Sequence, residues 1–215
     1  MEIVSFLVGS FKAGGIFMYA ILLVLAIGTA IFFERILSLY VRNSGKGYRL
    51  WSEIRERVEK GAYGEALEIC HKAGTFLARV LGTGLKKKMT TDSREEIQGA
   101  FEEVLLEVQP ALEKRIHYLY ALSNVSTLLG LLGTVTGLIQ SFTAVSEADP
   151  SRKSALLANG ISLALNNTAF GLLVAIFLMV SYSLMQSRSA AIEDELDEYS
   201  LKLLHMIQGS GRPGK

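Results

Sequence analysis

Two runs of small and hydroxylated residues hold the chemistry available to this chain. In the first, Thr127, Gly130, Thr134, Gly137 and Ser141 recur at steps of three and four, which puts them on one stripe of a helix. In the second, Gly160, Ala164, Thr168, Gly171 and Ala175 do the same, with Ser162, Asn166 and Asn167 close by. Such a stripe has two uses. Small residues let helices pack closely while threonine hydroxyls bond back to the carbonyl four residues earlier. The same oxygens can also line a path for water or an ion, and glycine and threonine suit both. Adjacent Asn166 and Asn167 point about 100° apart on a helix, so one can hold a neighbouring helix while the other lines a cavity. Two amides in an apolar segment are costly unless paired.

Other chemistry is poorly represented. Cys70 is the only cysteine among 215 residues, which excludes an internal disulfide and suits a reducing compartment. Beside His71 it reads as a small packing residue, because a zinc site wants three or four ligands at fixed spacing. His117 and His205 lie far off and complete no motif. No nucleotide loop or nucleophile triad is visible, so an enzyme is not expected. The 22 Lys plus Arg against 21 Asp plus Glu leave a net charge of +1, which argues against nucleic-acid binding.

The elements that must position the two stripes follow from where charge is missing. Stretches of 21, 31 and 34 residues without a formal charge lie between Lys12 and Glu34, Arg115 and Glu147, and Lys153 and Arg188. Each exceeds or matches the roughly 20 residues that cross a bilayer core about 30 Å thick. The expectation is an all-α integral membrane protein with three spans. An interfacial segment occupies 1–12, the first span 13–40 and a helical region 41–114. The second span follows at 115–146, a short loop at 147–153, the third span at 154–188, and a helix with a tail at 189–215. The N-terminus reads as a retained anchor, since its apolar run is longer than a signal peptide's. Fifteen Lys or Arg lie in the stretch from Glu34 through Arg115, whereas the opposite side holds only Lys12, Arg152 and Lys153. This predicts a cytoplasmic middle region and C-terminus, with the N-terminus and the loop near Glu147 outside.

In the middle region Trp51, Ile54, Val58, Tyr63, Ala66, Leu67, Ile69 and Cys70 recur at helical spacing, punctuated by Gly61 and Gly74. Phe76, Leu77, Val80, Leu81 and Leu85 predict a short helix ending at Lys86-Lys87-Lys88. Thr91 or Asp92 is expected to cap the next helix, and Pro110 to break, kink or restart it before the second span. The thirteen acids here interleave with the fifteen bases, as on a solvated helical surface. The third span is expected to continue through Ile192, Leu196, Tyr199 and Leu203 on one face. Residues from Gly209 on read as a disordered tail.

No span contains an Asp, Glu, Lys or Arg well inside it, since Glu34 and Arg35 stand at the end of the first. A membrane proton carrier needs a titratable group, which hydroxyls and amides do not provide near neutral pH. If this chain conducts protons, another chain must donate the carboxylate.

At these residues the chain resembles the MotA/TolQ/ExbB proton-channel family, and most closely its three-span ExbB/TolQ branch. The similarity runs almost end to end. It rests on Phe11 to Met18 with the Glu34-Arg35 exit, on Gly64 to Cys70 with Leu77 to Leu81, and most specifically on Leu128-Leu129-Gly130-Leu131-Leu132-Gly133-Thr134-Val135-Thr136-Gly137. Gly160-Ile161-Ser162 and Asn167-Thr168-Ala169-Phe170-Gly171-Leu172 are similar to the family's third-helix motif.

The resemblance implies a pentamer in the bacterial inner membrane whose second and third helices line a central pore. That pore would hold the single spans of an ExbD-like or TolR-like partner whose membrane Asp carries the proton. The pore threonines map onto Thr134 and Thr168, with Asn167, Thr127 and Ser141 as further lining residues and Gly130, Gly133, Gly137, Gly160 and Gly171 as packing residues. It further implies a motor subunit that turns ion flow into work on the cell envelope through a TonB-like or TolA-like protein, with no bound cofactor. Three positions depart from the pattern: Leu163 where some relatives carry Glu, Thr127 where a Pro is often found, and the vicinity of Phe177 where a second Pro is often found. Protons are the first choice of ion and sodium the second, because hydroxyl and amide oxygens are hard ligands. The alternative is a scaffold of the same fold without ion flux.

Overall fold

Seven α-helices and one π-helical turn make up the computed structural model, which describes residues 15–41 and 47–209; there is no strand among them. The helices are α1 (Gly15–Ile36), α2 (Gly47–Glu59), α3 (Tyr63–Ala73), α4 (Phe76–Lys88), α5 (Arg94–Glu113), α6 (Ile116–Glu147) and α7 (Lys153–Gly209). The turn, Leu37–Val41, directly follows α1. Three segments, Gly15–Tyr40, Arg94–Glu147 and Lys153–Gln208, are long and apolar enough to cross a membrane. The expected interfacial segment 1–12 and the tail beyond Gly209 lie outside the described residues.

The chain divides into two compact units. One contains residues 15–33 and 115–184, hence α1, α6 and the first part of α7. Its exterior is apolar: Leu23, Leu128, Ile139, Leu165, Leu173 and Ile176 are exposed. Its interior includes the hydroxyls of Ser123, Ser126 and Ser141 and the amide of Asn167. That arrangement is the reverse of a water-soluble bundle and suits lipid or neighbouring spans outside and close packing inside. Met18, Ile21 and Val24 form the buried face of α1. Gly28 leaves room for the Leu178 side chain, and the Phe32 and Phe177 rings meet edge to face at 6.0 Å.

The other unit contains the described residues of 34–114 together with 185–209. Here the apolar stripes have ordinary helical spacing, and each is buried: Leu50, Trp51, Ile54 and Val58 in α2, Ile97, Phe101, Val104, Val108 and Leu112 in α5, and Ile192, Leu196, Tyr199 and Leu203 in α7. Full burial of such side chains is worth about 1.5–3 kcal/mol each. Trp51 and Tyr199 stack with ring centroids 5.2 Å apart, tying α2 to the last turns of α7. Gly61 (φ +72°) and Gly74 (φ +62°) take left-handed conformations that end their helices without a Cβ penalty, where the sequence predicted breaks. Exposed pairs such as Arg55–Glu59 (2.7 Å) and Lys60–Glu56 (2.6 Å) occupy the charged faces.

Two local expectations are corrected. The cap of α5 is Ser93, whose Oγ accepts from the Glu96 N–H at 3.4 Å, and neither Thr91 nor Asp92 takes that role. Thr91 Oγ1 instead accepts from the Ser93 N–H, shaping the turn before the helix. Of the break, kink or restart expected at Pro110, the break and the restart do not occur, since the helix runs through Pro110 to Glu113. The break comes at Arg115, whose φ of +64° is the only positive value at a non-glycine among the described residues. Such a conformation costs about 1–3 kcal/mol and persists where its surroundings fix it. Leu112 and Ile116, three residues before and one after, are both fully buried, each in its own unit.

Candidate functional site

The two small-residue stripes meet where α6 crosses α7. Membrane helices gain little from apolar burial against lipid, so their association depends on close contact and interhelical hydrogen bonds. Both are present. A Cβ on Gly130 would stand 3.2 Å from the Asn167 carbonyl oxygen and from the Cα atoms of Thr168 and Gly171. One on Gly171 would stand 2.8 Å from the Ser126 carbonyl oxygen and 2.9 Å from the Gly130 Cα. These are backbone atoms, which cannot rotate away. Gly133 faces the Asn167 side chain, Gly137 faces Ala164, and Gly160 faces Ser141.

At this close approach side chains reach the opposite backbone. Thr168 Oγ1 donates to the Gly130 carbonyl at 2.9 Å, and Ser126 Oγ donates to the Gly171 carbonyl at 3.0 Å. Thr134 and Thr168 hydroxyls lie 3.0 Å apart, and Thr134 can instead donate to its own-helix Leu131 carbonyl at 2.6 Å. Each hydroxyl has one proton and two lone pairs. If Thr168 gives its proton to Gly130 and Thr134 gives its own to Leu131, two oxygens face each other with lone pairs free. A small rotation of Thr134 restores a bond between them. The pair can therefore accept a hydrogen bond from an arriving acid or contribute oxygens to a cation, and it carries no charge of its own.

Asn167 is buried and its Oδ1 has no hydrogen-bond partner, whereas Asn166 is only half-buried. Thr127 is exposed and bonds back to the Ser123 carbonyl at 3.2 Å; Ser141 is buried and bonds back to the Gly137 carbonyl at 2.7 Å. Thr134, Thr168, Asn167 and the five glycines thus converge on the α6–α7 crossing, while Thr127 lies on the outer surface of α6. Sequence reasoning missed Ser126, which is fully buried and bridges the helices. The buried stripe of α6 runs Ser123, Ser126, Gly130, Gly133, so its first half is offset by one residue from the stripe drawn through Thr127. A second reading of the same three-and-four spacing, starting from Ser123, contains it.

No cluster of His, Cys, Asp or Glu fit for a metal occurs among the described residues. Cys70, in the other unit, is buried, and burial pushes its thiol up to about 12. Arg35 is buried at the end of the first span, where it pairs with Glu34 at 3.0 Å and donates to the Ala111 carbonyl at 3.4 Å.

Residues 72–198, which contain the whole crossing, match the model of the MotA/TolQ/ExbB proton channel family. An ExbB homolog of Methanothermobacter thermautotrophicus is 31% identical over 192 residues, covering 89% of this chain and 66% of its own length. The biopolymer transport protein ExbB of Pseudomonas putida is 24% identical over 217 residues, covering 95% and 66%. The Tol-Pal system protein TolQ of Haemophilus influenzae is 36% identical over 99 residues, or 44% of this chain and 42% of its own. The chain thus spans about two thirds of the length of the two ExbB relatives. Since the matched segment exceeds half of the sequence and the glycine and threonine crossing falls within it, the chain belongs to the MotA/TolQ/ExbB proton channel family, in its ExbB/TolQ branch.

Proposed function

We propose that this chain is the pore-forming stator subunit of an ion-driven motor in the bacterial inner membrane. Five copies surround the single-span helices of an ExbD-like or TolR-like partner, usually two copies of it, and α6 and α7 face the pore. The observation that carries this reading is the Thr134–Thr168 hydroxyl pair at 3.0 Å, set on a glycine-packed crossing in spans with no Asp, Glu, Lys or Arg well inside them. Hydroxyls can receive a proton-bearing carboxyl or coordinate a small cation but cannot carry a proton near neutral pH, so the partner's membrane Asp supplies the titrating group. The exposed apolar faces of α6 and α7 provide surface for neighbouring copies and lipid.

Each charge that crosses a 100 mV potential releases about 2.3 kcal/mol, so useful work requires several ions. The work is delivered to the envelope through a TonB-like or TolA-like protein. Protons are the favoured ion. Sodium is the second reading, favoured by the unpaired Asn167 Oδ1, a hard oxygen on the residue before Thr168.

The test is ion flux in proteoliposomes holding this chain with its co-purified partner. A flux driven by the pH gradient and lost when the partner's membrane Asp becomes Asn supports the proton reading, and dependence on a sodium gradient moves it to sodium. A complex with no flux of either ion would leave a membrane scaffold.

A further inference from the structure

Beside the crossing, α1, α6 and α7 line a half-open cavity of about 350 Å³ near the ends of α6 and α7 that the 148–152 loop joins. Its wall includes Phe17 of α1, Thr136 and Gln140 of α6, and Asn159 and Asn167 of α7. We propose that this cavity is a water-filled vestibule, one per protomer, through which the transported cation reaches the Thr134–Thr168 pair from the loop side. The proposal rests on the function proposed above and adds a route within the protomer, apart from the pore between protomers.

Three observations carry it. Asn167 is 5% exposed and reaches the cavity, yet its Oδ1 has no protein partner. A buried amide oxygen is costly to leave unpaired, and ordered water is the usual remedy where a site is polar and roomy. At about 30 Å³ of liquid volume per molecule, the cavity holds several waters. The second observation is the supply of partners: Thr136, Gln140, Ser141 and Asn159 line the same wall, so water has side chains to bond along its length. Apolar cavities stay dry, but here five polar side chains share the wall with Ile16, Phe17, Leu156 and Leu163. The third is position. Gly133 and Asn167 both line the cavity, and their chain neighbours Thr134 and Thr168 bond each other, so on both helices the vestibule comes within one residue of the hydroxyl pair. No ionisable side chain lines it, so a cation meets only neutral oxygens on the way in.

The test places single cysteines in the full chain, assembled with its partner in proteoliposomes, and adds a membrane-impermeant cationic thiosulfonate. The native Cys70 is buried with its thiol pushed up to about 12, and is a silent background. Only thiolates in contact with water react quickly. Phe17→Cys and Asn159→Cys should therefore label roughly tenfold or more faster than Leu23→Cys on the exposed apolar face of α1. Because α1 has no residue in the proposed pore, an adduct at Phe17→Cys that lowers flux several-fold acts through the vestibule. Labelling of Phe17→Cys and Asn159→Cys no faster than Leu23→Cys, or complete labelling of Phe17→Cys with unchanged flux, would overturn the proposal. Fast labelling in a parent complex that conducts no ion would instead strike the proposed function and leave the hydrated cavity standing.

Discussion

Replacing Thr168 with Val removes one oxygen and keeps the branched shape, so it separates the ion role of the hydroxyl from its packing role. The Thr168 hydroxyl makes two contacts, a bond to the Gly130 carbonyl at 2.9 Å and one with Thr134 at 3.0 Å. Gly130 sits inside a helix, where its carbonyl keeps the ordinary main-chain partner four residues on. Thr134 keeps the Leu131 carbonyl at 2.6 Å. No group is orphaned, and interhelical hydrogen bonds in membranes average about 0.6 kcal/mol, so the two together are worth about 1 kcal/mol. The glycine contacts of the crossing are untouched, and assembly should survive. Flux should not. A hydrogen bond to a charged group is worth about 1.5–3 kcal/mol, which slows passage roughly 10- to 150-fold if the hydroxyl serves the ion at its barrier. The assay is flux in proteoliposomes, with thermal melting of the complex in detergent measured alongside and Thr168→Ser as the control that keeps the oxygen. Full flux in Thr168→Val would refute the assignment of the threonine to the ion path. Loss of the complex, with Thr168→Ser also unstable, would show that the packing energy had been underestimated.

Other consequences follow from the same geometry. Gly130→Ala or Gly171→Ala drives a Cβ against backbone and should destabilise the crossing by about 1–3 kcal/mol, whereas Gly99→Ala, inside α5 with open space around it, should stabilise by about 0.5–1 kcal/mol; melting temperatures of the three variants check the contrast. Cys70 should resist maleimide at neutral pH until the fold is lost, and the measurement is labelling against denaturant. Glu193, in the last part of α7, is pushed up by burial first and by the nearby Glu113 charge second. Because its folded value is raised, its contribution to stability is complete below the ordinary 4.5 and is lost as pH rises through the folded value. Glu193→Gln should therefore raise the melting temperature at pH 7 and leave it unchanged in acid, which a melting series against pH will test.

The large features were legible because each follows from a strong one-dimensional pattern. Long charge-free runs marked α1, α6 and α7, and apolar spacing with glycine punctuation marked α2 to α4, since Gly61 and Gly74 supply the left-handed turns. The α7 face through Ile192, Leu196, Tyr199 and Leu203 followed from three-and-four spacing alone. What escaped was set by competition between near-equal local choices. Thr91, Asp92 and Ser93 are all good caps, and the Glu96 N–H settles on Ser93. Pro110 removes one hydrogen bond, yet the helix runs through it to Glu113 and the break comes at Arg115, a position that local propensity does not single out. In α6 hydroxyls occur on adjoining positions, so spacing cannot choose between Ser126 and Thr127; only the approach of Gly171 does. Asn167 is expensive by its type alone, but the cavity it lines is shared with Gly15, Ile16 and Phe17 of α1, whose path local spacing does not give.

The central claim is a motor subunit that borrows its titrating group from another chain, and native mass spectrometry of the complex released gently from its own membranes tests it most directly. The account predicts five copies of this chain with a smaller single-span protein that carries an Asp inside its membrane segment. A homo-oligomer that reproducibly lacks any such partner in mild detergent would contradict it.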